Sequence, residues 1–168
     1  MLRLRPLRAD DEAAFLVARK EMAAEGFIFG LSFDAGASWT EYLQLLSNQR
    51  QGLNLPERYV PHTFLVADVD GQIVGRVSIR HEANEFLLRE GGHIGYCVLP
   101  AYRRRGYATE ILRQALIVAR SVGVDRALVT CDDDNVGSIA VIEACGGKLQ
   151  DIVQLKPDAA ELRRYWID

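Results

Sequence analysis

Two periods of apolar residues alternate along this chain, and together they predict a mixed α/β architecture. Residues 2–6 alternate apolar residues with arginine, the pattern of a short half-buried strand. Asp10 or Asp11 then caps a helix with Ala14, Phe15, Val17, Ala18 and Met22 on its apolar face, stopped at Gly26. Residues 27–38 are loop-like but carry Phe27, Phe29 and Phe33. Ser38 caps a second helix, with Trp39, Tyr42, Leu43, Leu45 and Leu46 as its buried stripe. Residues 48–61 are polar and broken by Gly52 and Pro56, a surface connection. Strands over 63–69 and 72–80 flank Asp70-Gly71, a hairpin turn in which glycine supplies the positive φ. Residues 81–90 form a short insertion with a helical turn built on Phe86, Leu87 and Leu88.

The stretch from Gly91 to Ser121 organises the rest. Its first part is apolar, β-prone and closed by Pro100, a buried strand. Its last part sets Ala108, Ile111, Leu112, Ala115, Val118 and Ala119 on one face at helical spacing, closed by Gly123. Arg103, Arg104, Arg105 and Gly106 lie between the two. A strand entering a helix through such a turn aims unpaired N–H groups and the positive end of the helix dipole at one point, an anion site suited to phosphate. The arginines add fork-shaped donors around it. A β run over 126–131 follows, then an acidic run at Asp132-Asp133-Asp134, a helix opened by Asn135 and running through Cys145, and extended segments at 149–155 and 163–167. No repeat or second-domain signal interrupts this order, so the chain reads as a single domain over residues 1–168.

Arg103-Arg104-Arg105-Gly106-Tyr107-Ala108 resembles the (Gln/Arg)-x-x-Gly-x-(Gly/Ala) signature of the GNAT superfamily of N-acetyltransferases. Val98-Leu99-Pro100-Ala101-Tyr102 is similar to the family's approach to that turn. Asn135-Val136-Gly137-Ser138, followed by Ala144-Cys145-Gly146-Gly147, resembles its second motif. The likeness covers roughly residues 60–155 and implies the GNAT fold, a mixed central β-sheet flanked by helices, of α/β (α+β) class.

The resemblance also implies a chemistry: acetyl transfer from acetyl-CoA to a primary amine of a small molecule or peptide. On that reading the turn from Arg103 to Thr109, with Gly106, Tyr107 and Ala108 at its centre, holds the pyrophosphate. Tyr96, Cys97 and Val98 pair with the pantetheine arm, and the Val98 N–H is the candidate donor to the thioester oxygen. Asn135 binds near the pantetheine or simply caps its helix, and Ser138 reaches the cofactor or packs. Many members carry a tyrosine seven residues after the Asn to reprotonate the leaving thiolate; here that position is Ile142. Tyr96, Tyr165 and water stand open as the acid. Glu90 and His93 precede the cofactor strand, where the family often places a base, and histidine titrates in the useful range. A histidine beside Gly92 is equally able to bond a backbone carbonyl.

Composition narrows the field. A net charge of −3 argues against a general nucleic-acid binder, and a single arginine patch beside Tyr102 and Tyr107 is small for an RNA module. Neither G-x-x-x-x-G-K-(S/T) nor a full G-x-G-x-x-G occurs. Cys97, Cys131 and Cys145 have no metal-ligand or disulfide spacing, so no metal is expected. No apolar run suits a membrane span or signal peptide, which favours a reduced, cytoplasmic setting. Homodimers are common in the family, and nothing in the sequence specifies an interface. The alternative is a non-catalytic acyl-CoA-binding sensor, which shares the turn but needs no base.

Overall fold

The Asp70-Gly71 hairpin is the centre of a four-stranded antiparallel sheet in the computed structural model, which describes residues 1–168. Its strands, β1 (Leu2–Arg5), β2 (His62–Val69), β3 (Gln72–Arg80) and β4 (Ile94–Val98), lie in that order. A second, three-stranded antiparallel sheet has the order β5 (Ala127–Asp132), β7 (Leu162–Ile167), β6 (Lys148–Val153). The sheets meet where β4 begins. There the His93 N–H donates to the Leu128 carbonyl at 2.7 Å, and no ladder continues toward Val98. The central sheet is thus split into two antiparallel parts.

Helices cover both faces of the larger part. Helix α3 (Tyr107–Ser121) buries Ile111, Leu112, Ala115, Leu116 and Ala119 against β3, β4 and β1. Its close seat depends on Gly75, where an added Cβ would stand 2.3 Å from the Cys97 carbonyl oxygen and 3.2 Å from Ile111. Helices α1 (Glu12–Ala23) and α2 (Trp39–Arg50) cover the opposite face. The face α1 buries is Phe15, Ala18 and Met22, whereas Ala14 and Val17, expected on it, are exposed. The phenylalanines of residues 27–38 divide their roles. Phe29 and Phe33 pack with Phe15, Trp39 and Tyr42 as core aromatics, while Phe27 lies over the Arg76 guanidinium. Asp11 adjoins α1 without capping it, because its carboxylate is taken by Arg5 and by the Arg8 N–H. The short helix α4 (Val136–Ala144) opens on Asn135 and packs on α3. Residues Leu87–Gly91 form one wide helical turn, burying Leu87 and leaving Phe86 and Leu88 outward. No helix is long and apolar enough to cross a membrane.

Candidate functional site

Strand β4 has one committed edge and one open edge. In its antiparallel ladder with β3, alternate residues spend their N–H and C=O groups on the neighbour: the Leu99 N–H reaches the Val74 carbonyl, and the His93 carbonyl takes the Arg80 N–H. Tyr96 and Val98, out of phase with these, turn their N–H groups toward β5, where no ladder forms. The Val98 carbonyl on that side accepts from Arg103 Nε at 3.0 Å. The Tyr96 and Val98 N–H groups stay free along the edge.

The next turn aims a second set of free donors at the same place. After Pro100–Tyr102 the chain passes through Arg104 at φ 65° and Gly106 at φ 79° before entering α3. The first intrahelical acceptor is the Gly106 carbonyl, bonded by the Glu110 N–H. The N–H groups of Arg104, Arg105, Gly106, Tyr107, Ala108 and Thr109 therefore have no acceptor within the chain. All of these residues except Arg105 border a cavity of about 750 Å³ whose walls are Tyr96 to Val98, this turn, the start of α3 and the start of α4. That volume is within the range of small-ligand sites. A second depression of about 620 Å³ beside α1 holds Arg5, Asp11 and Asp68, whose charges are already paired with one another.

The three arginines differ in what they can do. Arg103 is latched: besides the Val98 carbonyl it holds Glu25 at 2.9 and 2.6 Å, tying the turn to the end of α1. Its hydrogen bonds keep the Glu25 carboxyl below the usual range. Arg105 lies over the Tyr102 ring at 5.8 Å, off the cavity wall. Arg104 lines the cavity, exposed and without an acidic partner.

Helix α4 supplies the facing wall. Asn135 Oδ1 accepts from the Ser138 N–H at 3.1 Å, so the cap is made, and the amide NH₂ is left unpaired at the cavity. The Tyr96 hydroxyl is buried beside Ser138 with no hydrogen-bond partner, and burial pushes its phenol up to about 12. Ile142, at the position of the family's usual tyrosine, is fully buried against Gly147 and faces the core; Val141 takes the cavity side.

His93, Glu90 and Tyr165 are not brought to this cavity. His93 is buried, and its Nδ1 accepts the Leu128 N–H at 2.9 Å, pinning the starts of β4 and β5 together. Burial, reinforced by the charge of Arg80, lowers its pKa and keeps the ring neutral. Glu90 pairs with Arg89 while its carbonyl takes the Thr130 hydroxyl. Tyr165 is in the core, its hydroxyl donating to Glu143 and accepting from Arg163. Conversely, Met22, Glu25 and Phe27 join the wall although no spacing in the sequence singles them out. The one signal was local: Gly26 ends α1 next to two of them.

A split sheet with an open strand edge, running through an amide-lined turn into a helix, thus sets two groups of unpaired backbone donors around one cavity. The family model described as the acetyltransferase (GNAT) domain matches residues 1–148, and the chain belongs to that acyltransferase family. No curated protein matches the sequence. Among solved structures the chain is similar to Mycobacterium smegmatis RimJ in complex with CoA-disulfide, at 23% identity and TM-score 0.69 over 99% of this chain and 81% of that one. It is similar also to RimL, a ribosomal L7/L12 alpha-N-protein acetyltransferase, at 21% identity and TM-score 0.65 over 98% and 88%. A third is yncA of Salmonella typhimurium with acetyl-CoA, at 16% identity and TM-score 0.66 over 99% and 93%. These likenesses are of fold.

Proposed function

We propose that the protein moves an acetyl group from acetyl-CoA to an amine of a small molecule or peptide. The observation that carries this reading is the set of unpaired N–H groups at Arg104 and from Gly106 to Thr109, opening on the same cavity as the free edge of β4. Amides at a helix start suit a pyrophosphate, and Arg104 adds a mobile charge. Arg103 acts at one remove, holding the turn in shape through Glu25 and Val98. The Tyr96 and Val98 backbone would hold an amide-bearing arm as a neighbouring strand would, with Cys97 turned to the core side. Asn135 and Ser138 close the facing wall.

Acetyl-CoA supplies an activated thioester, and the chain supplies the polarity around it. The Val98 N–H would donate to the carbonyl oxygen as charge develops there, a contribution on the order of 3 kcal/mol in a site closed to water. Tyr96 is the group we assign to protonating the departing sulfur. Its phenol, held up by burial against the opposing pull of the adjacent Ser138 hydroxyl, stays protonated at neutral pH. The only carboxylate on the cavity wall is Glu25, tied to Arg103, so the ammonium proton leaves through water rather than to a dedicated base, and water returns a proton to the Tyr96 phenolate to close the balance. That arrangement suits an α-amine, with a pKa of about 8, over a lysine-like amine at about 10.4.

The test is calorimetric titration with acetyl-CoA, coupled to detection of free thiol against amines, polyamines and peptide N-termini. Binding with acceptor-dependent thiol release is the expected result. Binding without release would make the protein an acyl-CoA sensor, and absence of binding would end the reading. Tyr96→Phe is expected to lower kcat about 10- to 100-fold with acetyl-CoA affinity unchanged. The same change removes a buried unsatisfied hydroxyl, so the melting temperature should hold or rise. Unchanged kcat would take Tyr96 out of the mechanism.

A further inference from the structure

A smaller cavity of about 180 Å³ lies against the opposite face of the large sheet from α3, near the start of β4. Its walls combine apolar Leu31, Val60 and Leu87 with Arg58, Arg80 and Ser78, and no acidic residue lines it. Two neighbouring arginines on β3 have opposite fates. Arg76 gives its protons to three backbone carbonyls, of Ile28, Phe29 and Gly95. Arg80, four residues on and facing the same way, is half-buried with no hydrogen bond and no carboxylate partner. Its guanidinium stands 3.4 Å from where a side chain on Gly95 would begin, so the glycine leaves it room over β4. Ser78, between the two arginines, is fully buried and its hydroxyl has no partner.

An unpaired guanidinium and an orphan hydroxyl in one pocket leave polar demand that the chain does not meet. Burial lowers the Arg80 pKa, and its charge is felt at His62, His93 and Arg76 without an acid to offset it. Contiguous packed residues lie between the pocket and the larger cavity. Arg76 straps residues 28 and 29 to the Gly95 carbonyl, and Phe27, stacked on that same guanidinium, is on the larger cavity's wall. Gly95 adjoins Tyr96, whose N–H faces the cleft.

We infer that this pocket is the acceptor's anchor and that the acceptor is an amine carrying an anion, a carboxylate or phosphoryl group, which pairs with Arg80 and is bordered by Ser78. This specifies the substrate class of the acetyl transfer proposed above and rests on it. A guanidinium offers two parallel donors to either anion, and that geometry selects against neutral analogues of the same size.

The experiment compares matched α-amine probes: glycyl-glycine with glycyl-glycinamide, glycyl-aspartyl amide with glycyl-asparaginamide, and glycyl-aminomethylphosphonate with its diethyl ester. Acetyl-CoA-dependent thiol release should favour an anionic member over its neutral partner by about 10- to 100-fold in kcat/KM, mostly through KM. The carboxylate and phosphonate arms tell which anion is preferred. Arg80→Gln should erase the preference while calorimetric affinity for acetyl-CoA stays unchanged, and Arg80→Lys should retain part of it. Equal rates for anionic and neutral members, turnover of none of the anionic probes by an enzyme that binds acetyl-CoA, or a preference that survives in a folded Arg80→Gln would each overturn the inference. If acetyl-CoA itself fails to bind, the acetyl-transfer reading falls separately. Calorimetric titration of the anionic probes alone then decides the pocket: heat lost in Arg80→Gln supports it, and no heat with the unaltered protein overturns it.

Discussion

Gly106→Val should lower acetyl-CoA affinity at least about 100-fold, because it acts on the turn in two ways at once. Gly106 has φ 79°, a region that costs an L-residue about 1–2 kcal/mol and a β-branched one more. Strain of that kind shifts the neighbouring N–H groups away from their shared focus. A Cβ there would meet no protein atom within 4 Å, so the new side chain fills the space where we place the phosphates. Gly106→Ala separates the two contributions, with similar strain and less bulk, and should fall between valine and the unaltered protein. Calorimetric titration well below each variant's melting temperature measures the effect. A folded valine variant that binds within about threefold of the unaltered protein would remove the turn from the site.

Arg5→Met should destabilise the fold by about 3–5 kcal/mol at neutral pH. Arg5 bridges two carboxylates, Asp11 at 2.7 and 3.0 Å and Asp68 at 2.7 Å, with all three side chains nearly excluded from water. Burial alone would push both carboxyls up. The Arg5 hydrogen bonds, with backbone N–H groups of Arg8 and Gly71, outweigh it and hold both below the usual range. Groups so depressed stabilise the folded state at pH values above the unfolded carboxylate pKa of about 3.9, and that stabilisation drains away as pH falls through the lower folded values. In the methionine variant the sign reverses. Its stranded carboxylates take up protons more readily than free ones, so the deficit should shrink as pH is lowered from 7 toward 4.5. Urea denaturation at the two pH values reads both statements. A deficit under about 1 kcal/mol at pH 7, or one that grows on acidification, would contradict the role given to Arg5.

The sequence revealed the elements better than their edges, and the turn better than the chemistry around it. Helix α3 was legible because Ile111, Leu112, Ala115 and Ala119 repeat at helical spacing, and the β2–β3 hairpin because Asp70-Gly71 sits between two long β runs. The buried face of α1 was misjudged at Val17, since its period does not tell which of two adjacent apolar rows meets the sheet. Arg103 looks in the sequence like Arg104 and Arg105. Its latch to Glu25 spans 78 residues and depends on where α1 ends in space. His93 was readable as a titrating group beside the cofactor strand, yet its commitment to the Leu128 N–H arises only from the way β4 and β5 touch. The unpaired state of Arg80 is likewise invisible in a string of letters, since a β-strand arginine normally finds water or an acid.

The open edge of β4 carries a cost that outlasts catalysis. A strand with bare amides on one side can recruit a stray extended segment, from another copy or a nascent chain, and grow by edge-to-edge association. Here the exposure is confined to the few residues past His93, where the two sheet parts separate, and the start of α4 crowds the approach. A ligand lying along that edge would act as a sacrificial neighbour, shielding the backbone while delivering its acyl group. Self-association on prolonged storage should therefore be the hazard of the ligand-free protein, relieved by coenzyme A at saturating concentration.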